Sequence, residues 1–165
     1  MKKVALEYLR KKLCNVGVVH LLFLILFINM NTIFDKIISR EVSADIVYED
    51  ESVLAFLDIH PIRKGHTLII PKKKCSDIFD AEPETLGHMM KVAQKIAHAL
   101  KETVGAKGVN IHMNNGHEAG QDVLHAHLHV IPRFARNEAF ATAEHEAYAE
   151  NESVLLAEKI KIAIA

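Results

Sequence analysis

Three histidines alternate with apolar residues in the stretch His125-Ala126-His127-Leu128-His129-Val130. On a strand, successive side chains point to opposite faces, so the imidazoles at 125, 127 and 129 project together. Leu124, Ala126, Leu128 and Val130 then project the other way, into a core. A lone histidine on an apolar strand is usually a packed core residue, but an unbroken alternation of three is not explained by packing. Two chemistries suit it. His-x-His on a strand can ligate zinc, which takes about four ligands from Cys, His or carboxylate. Alternatively, a neutral imidazole, with an unperturbed pKa of about 6.5, is a good nucleophile near neutral pH and can form a covalent intermediate. Attack by one ring nitrogen then requires the other to be held as N–H. Spacing alone leaves both readings open.

The loop before this stretch shifts the balance. Asn114 to Gln121 contains Gly116 and Gly120. Glycine lets a backbone approach a bound group closely and presents its N–H donors. Asn114 and Gln121 add neutral amide donors. Donors of this kind, without carboxylates at ligand spacing, suit a phosphate better than a cation. Asn114, Gly120 and Gln121 are therefore candidate phosphate contacts, with no metal and no cofactor assigned.

The 165 residues suffice for one ordinary domain and an extension. The formal net charge of -1 gives no bulk attraction for nucleic acid or an acidic membrane, so a phosphorylated ligand must be bound by local groups. Cys14 and Cys75 are too few and too scattered for a disulfide framework or a CxxC metal site. A reducing, cytoplasmic setting is the natural expectation.

Residues 1–30 differ in kind from the rest. Lys2, Lys3, Arg10, Lys11 and Lys12 precede an apolar run from Val16 to Ile28. The layout is that of a secretory signal, but no small-x-small cleavage site follows, and the run is shorter than the roughly 20 residues of a spanning helix. The preferred expectation is an over-extended reading frame with translation starting at Met30. A membrane anchor and a cleaved signal are the alternatives. Residues 31–165 are then the working domain.

Within that domain, Ile33 to Ser39 has helical spacing. Asp45 to Glu49 and Val53 to Leu57 read as strands joined by an acidic turn. Asp58 to Gly65 is a loop, and Thr67 to Ile70 a buried strand ended by Pro71. Pro83 opens a helix with Leu86, Met89, Met90, Ala93, Ile96, Ala97 and Leu100 on one face and Gly105 as its cap. Gly108 to Met113 and Leu124 to Ile131 read as strands, the second stopped by Pro132. Glu152 to Ala165 reads as a helix. Strands mostly come in succession, so the fold is α+β with an antiparallel sheet.

The sequence HAHLHVI resembles the signature of the histidine-triad (HIT) family, H-φ-H-φ-H-φ-φ with φ apolar. The resemblance extends from Thr32 to Arg133, through IFDKIISREVSADIVYEDESVLAFLDIHPIRKGHTLIIPKKK and NNGHEAGQDVLHAHLHVIPR, in the manner of the family's Hint-like bacterial branch. It implies a five-stranded antiparallel sheet with one long helix, and two subunits joined in a continuous sheet across a two-fold axis. It implies that His127 attacks the α-phosphorus of a purine nucleotide and becomes transiently nucleotidylated. His125 would hydrogen-bond to His66 and orient the nucleophile, while His129 would contact the phosphate and help protonate the leaving group. Asp58 matches a ribose-binding acid, and Ile33, Phe34, Ile37, Phe56 and Ile59 match the apolar walls around the base. The implied activity is hydrolysis or transfer on purine nucleoside phosphoramidates or related adenylated compounds. A nucleotide-binding module with incidental hydrolysis, a dinucleoside polyphosphate hydrolase and a His-ligated metalloenzyme are the rivals.

Several residues depart from that pattern or stand outside it. Asp122 occupies a position where the branch often has serine, and a carboxylate pointing inward there would repel phosphate. Metal-binding members carry CxxC where this chain has Thr32-Ile33-Phe34-Asp35, so no structural zinc is expected. Lys72, Lys73 and Lys74 read as a solvated face. His60, His88, His98, His112, His117 and His145 read as surface or incidental, and the Met89-Met90 pair as core.

Overall fold

The computed structural model describes residues 31–136 and 145–164, and the stretch 1–30 read above as an extension lies outside them. The first helix, α1 (Ile33–Ile38), is short and needs its cap. The Thr32 hydroxyl accepts from the Asp35 N–H at 3.2 Å, and the Asp35 carboxylate accepts from the Thr32 N–H at 2.7 Å. This reciprocal box satisfies two of the helix's orphan donors. Phe34 and Ile37, one turn apart, are the buried residues of the helix.

Five strands follow: β1 (Ile46–Glu49), β2 (Val53–Leu57), β3 (Thr67–Pro71), β4 (Gly108–His112) and β5 (Leu128–Arg133). They form one sheet in the order β1-β2-β3-β5-β4, with every neighbouring pair antiparallel. Two longer helices, α2 (Pro83–Thr103) and α3 (Glu152–Ile164), complete the fold. β2 and β3 are buried at every position, which explains why they read as continuous apolar runs rather than alternating ones.

The two sheet faces have different tasks. Val53, Ala55, Leu57, Ile69, Leu128 and Val130 pack with Met89, Val92, Ala93, Ile96 and Leu100 of α2 and Leu156 and Ile160 of α3. On the other face Leu54, Phe56, Leu68 and Ile70 pack with Phe34 and Ile37 of α1. Strand partners share a face, and His129 lies opposite both Leu68 and His112. The histidines therefore stand on the α1 side, away from α2 and α3.

Three expectations change in detail. The strand expected over Leu124 to Ile131 begins at Leu128 and runs to Arg133. Before it, the His125 N–H bonds to the Val123 carbonyl and the Ala126 N–H to the Cys75 carbonyl, so this segment has no ladder to join. Leu124 is accordingly exposed rather than core. Pro132 does not stop β5; it lies past Val130, the last residue paired with β3, where one flank of the strand is unpaired and proline is tolerated. On α2 the buried stripe is Met89, Val92, Ala93, Ile96, Ala99 and Leu100, and Met90 is exposed. Gly105, at φ +71°, follows the C-cap Val104 as expected. Among the described residues no helix is long and apolar enough to cross a membrane.

Candidate active site

Three segments converge on the α1 face: the Asp58 to His66 loop, the end of β4, and the run from His125 into β5. Gly65 sets the first at φ +97°, and its missing Cβ gives room to Leu100 and Pro132. His66, which follows it, is buried. The loop is tied to a distant segment. Glu146 accepts from the Lys64 N–H at 2.7 Å, Tyr148 from the Gly65 N–H at 3.0 Å, and the His60 carbonyl from His145 Nδ1 at 2.6 Å. Lys64 also reaches Glu152 at the start of α3, at 2.8 Å.

The imidazoles are in contact. The His127 and His129 ring centroids lie 4.9 Å apart, His129 stacks on His112 at 4.5 Å and 11°, and His66 Nε2 is 2.9 Å from His129 Nδ1. Phe34 presents an edge-type contact to the His127 ring at 5.2 Å and the His125 ring at 5.8 Å. The expected pairing of His66 with His125 is not found. His66 sits beside β3's first residue, and the β3–β5 register brings it to His129, while His125 lies in the loop before β5.

Backbone partners fix the tautomers. A carbonyl only accepts, so His127 Nδ1, 2.8 Å from the His125 carbonyl, carries its hydrogen and leaves Nε2 with a free lone pair. By the same reasoning His125 Nε2 donates to the Pro71 carbonyl at 2.9 Å. The Ile62 N–H donates to His66 Nδ1 at 3.3 Å, so His66 donates through Nε2 to His129 Nδ1. His129 then holds its hydrogen on Nε2, a buried donor that has no partner among the described residues. Burial pushes the imidazoles of His66, His129 and His125 below their ordinary value, so all three are neutral near neutral pH. For His66 the Asp58 carboxylate, 3.4 Å from Nδ1, opposes that shift without reversing it.

The candidate nucleotide contacts divide. Asp58 Oδ1 caps the His60 N–H at 2.9 Å while Oδ2 faces His66. Phe34, Ile37 and Phe56 come together in one apolar cluster, whereas Ile33 and Ile59 are exposed at 45% and 76%. Asn114 closes the glycine loop by donating to the Gly120 carbonyl at 3.1 Å, and Gly120 turns at φ +80°. Gln121 is not a free amide donor. It is buried, donating to the Ser76 and Val123 carbonyls at 2.6 and 3.0 Å and accepting from the Gly116 N–H at 2.8 Å. Its work is to shape the loop. Asp122 is exposed. Lys72, Lys73 and Lys74 each pair with a carboxylate, from Glu49, Glu82 and Asp35 respectively, in keeping with a solvated face. Depressions of about 600 Å³ and 550 Å³ lie elsewhere, lined by β1 with α3 and by α3 with the Glu146 segment.

The sequence profile of the HIT domain matches residues 39–136. The chain belongs to the HIT family. A relative, Protein hit of Bacillus subtilis, is 43% identical over 110 residues, covering 67% of this chain and 76% of its own length. A Zn-bound histidine triad family protein from Mycobacterium smegmatis has a solved structure with TM-score 0.72 and 37% identity, covering 82% of this chain and 94% of that one. A hypothetical histidine triad nucleotide-binding protein from Sulfolobus tokodaii gives TM-score 0.70 at 34% identity, covering 80% and 91%. The α+β sheet with its long helix is thus the HIT fold, and membership in the family suggests nucleotide binding with hydrolase or transferase activity.

Two metal questions follow for a HIT chain. Asp58, His66 and His129 each offer a ligand atom within 4.8 Å of the others, although the two histidines already bond to one another. The second concerns Thr32 and Asp35, which stand at the CxxC positions of metal-binding members. They do not fit zinc. A neutral threonine hydroxyl replaces a thiolate, both side chains are engaged in the α1 cap, and the Lys74 ammonium lies 3.1 Å from Asp35 Oδ2, where a second cation would be repelled. One site residue was missed by sequence reasoning. His112, read as incidental, stacks on His129, and the signal was the pairing of β4 with β5 across the glycine loop.

Proposed function

We propose that this protein hydrolyses, or transfers from, purine nucleoside 5′-phosphoramidates and related adenylated compounds by double displacement at the α-phosphorus. The observation that carries the reading is the hydrogen bond from His127 Nδ1 to the His125 carbonyl, which leaves Nε2 unprotonated in a ring already neighboured by His129. A nucleophile held in its reactive tautomer needs no reorganisation before attack.

His127 Nε2 forms a bond to the α-phosphorus as the phosphorus–nitrogen bond to the amine breaks, and the amine leaves with the proton of His129 Nε2. Water then attacks the same phosphorus and returns a proton to His129. The phosphorus–imidazole bond breaks, Nε2 recovers its lone pair, and the nucleoside monophosphate departs. The Nε2–H of His129, which has no partner among the described residues, suits a phosphoryl oxygen, whose charge grows in the transition state. Asp58 suits the ribose hydroxyls through Oδ2, and Phe34, Ile37 and Phe56 provide the apolar side of the base site.

The test uses the full chain, adenosine 5′-phosphoramidate and excess EDTA. AMP is expected, with a radiolabelled AMP–enzyme adduct after acid-free quenching, and neither with His127→Ala. Turnover by His127→Ala at the wild-type rate would remove His127 as nucleophile. Tight AMP binding without turnover would leave a binding module.

A further inference from the structure

Lys74, Asp35 and Thr32 lie outside the catalytic histidines, yet they converge on one of them. Lys74 Nζ is 3.1 Å from Asp35 Oδ2. The same carboxylate oxygen accepts from the Thr32 hydroxyl at 2.9 Å and the Thr32 N–H at 2.7 Å. Thr32 Oγ1 is 3.4 Å and Asp35 Oδ1 3.7 Å from His125 Nδ1. His125 is fully buried, and its other ring nitrogen is held by the Pro71 carbonyl. One nitrogen of this imidazole is therefore held by the end of β3, and the other abuts a cluster joining the α1 N-terminus to Lys74. The backbone carbonyl of the same residue is the acceptor that sets the His127 tautomer.

We infer that Lys74, Asp35 and Thr32 form a metal-free clamp that positions His125, and through its carbonyl holds His127 in the tautomer with Nε2 free. The ammonium takes the place a cation would take beside Asp35. It also balances the carboxylate in a partly buried site, where an uncompensated charge is costly. Burial opposes ionisation of Asp35, but the bonds from Thr32 and Lys74 outweigh it and hold the carboxyl below its ordinary value. Phe34 extends the same grip, because α1 carries it against both the His125 and His127 rings. These are positioning residues. Neither Lys74 nor Asp35 has a role at the phosphorus.

The kinetic consequence rests on the nucleophile proposed above; the tautomer does not, because it is read without substrate. Long-range proton–nitrogen NMR of the imidazoles is recorded on wild type, Lys74→Met, Lys74→Arg and Asp35→Asn, with His127 assigned from His127→Gln. Lys74 is one-third exposed (33%), so its replacement leaves a folded chain to measure. Wild type is expected to show His127 protonated at Nδ1 alone, Lys74→Met and Asp35→Asn a mixture of tautomers, and Lys74→Arg a return to the wild-type pattern. With adenosine 5′-phosphoramidate, Lys74→Met should lower kcat by about 10–100-fold, the scale of a misplaced reacting group, with KM nearly unchanged. Retention of the single wild-type tautomer in folded Lys74→Met and Asp35→Asn would overturn the clamp. So would one equivalent of zinc in the purified wild-type protein that Asp35→Asn fails to retain. Tautomer mixing in the variants with no turnover by wild type would uphold the clamp and count against the nucleophile instead.

Discussion

Gly65 brings the β2–β3 loop into His66, and Gly65→Ala tests whether that loop is as constrained as its geometry implies. At φ +97° the backbone occupies a region that residues with a Cβ rarely adopt. Holding one there costs about 1–3 kcal/mol. A Cβ on this backbone would also stand 2.8 Å from Leu100 Cδ2 and 3.5 Å from Pro132 Cγ. Leu100 is fully buried in the α2 layer, so its methyl cannot swing into solvent. Overpacking of such a core adds about 1–3 kcal/mol. The substitution should therefore destabilise the protein by about 2–6 kcal/mol in urea unfolding followed by circular dichroism. Repeating it on a Leu100→Val background separates the two contributions. The steric share should reappear as a coupling energy of about 0.5–3 kcal/mol, whereas the conformational share should not. A loss under about 1 kcal/mol, or strict additivity with Leu100→Val, would refute the reasoning.

Asp50 accepts from the Ser52 and Val53 N–H groups, the Tyr48 hydroxyl and His88. Burial raises its pKa, but these bonds prevail and bring it from 3.8 down to about 2. A lowered folded-state value gives stability that is present above 3.8 and lost as pH falls toward about 2. Discounted for solvent screening, Asp50→Asn should cost about 1–2 kcal/mol near neutral pH, and the gap from wild type should close in acid. A gap that does not change across that range contradicts the assignment. Gln121→Leu leaves the Gly116 N–H and the Ser76 carbonyl without their partner and removes one of the two donors to the Val123 carbonyl. A loss of about 2–4 kcal/mol is expected, together with faster hydrogen exchange at the Gly116 amide; unchanged exchange would show that Gln121 does not hold the loop.

The parts legible in the sequence were those set by local pattern. The buried runs 53–57 and 67–70, the Pro83 helix start and the Gly105 cap follow from neighbouring residues, and their bounds agree closely with the structure, where the second strand also takes in Pro71. The histidine stretch was legible as a cluster but not as a strand. His125 and Ala126 direct their N–H groups to Val123 and Cys75, a choice set by distant chain that alternation cannot reveal. Strand register is also non-local, which is why His66 was matched to His125 rather than His129, and why His112 went unnoticed. Gln121 looked like a ligand donor because its type allows it. Only three-dimensional neighbours show that its amide is fully engaged.

The ties from His145, Glu146, Tyr148 and Glu152 to the loop before His66 span 82 to 88 residues. During synthesis at about 5–20 residues per second, that separation is about 4–18 s of elongation. For that interval the nascent chain carries Asp58 and His66 on a loop whose fasteners have not been made. The histidines of β5 emerge before those fasteners as well. The loop that carries Asp58 and His66 thus gains its fasteners only after the β5 histidines have been made.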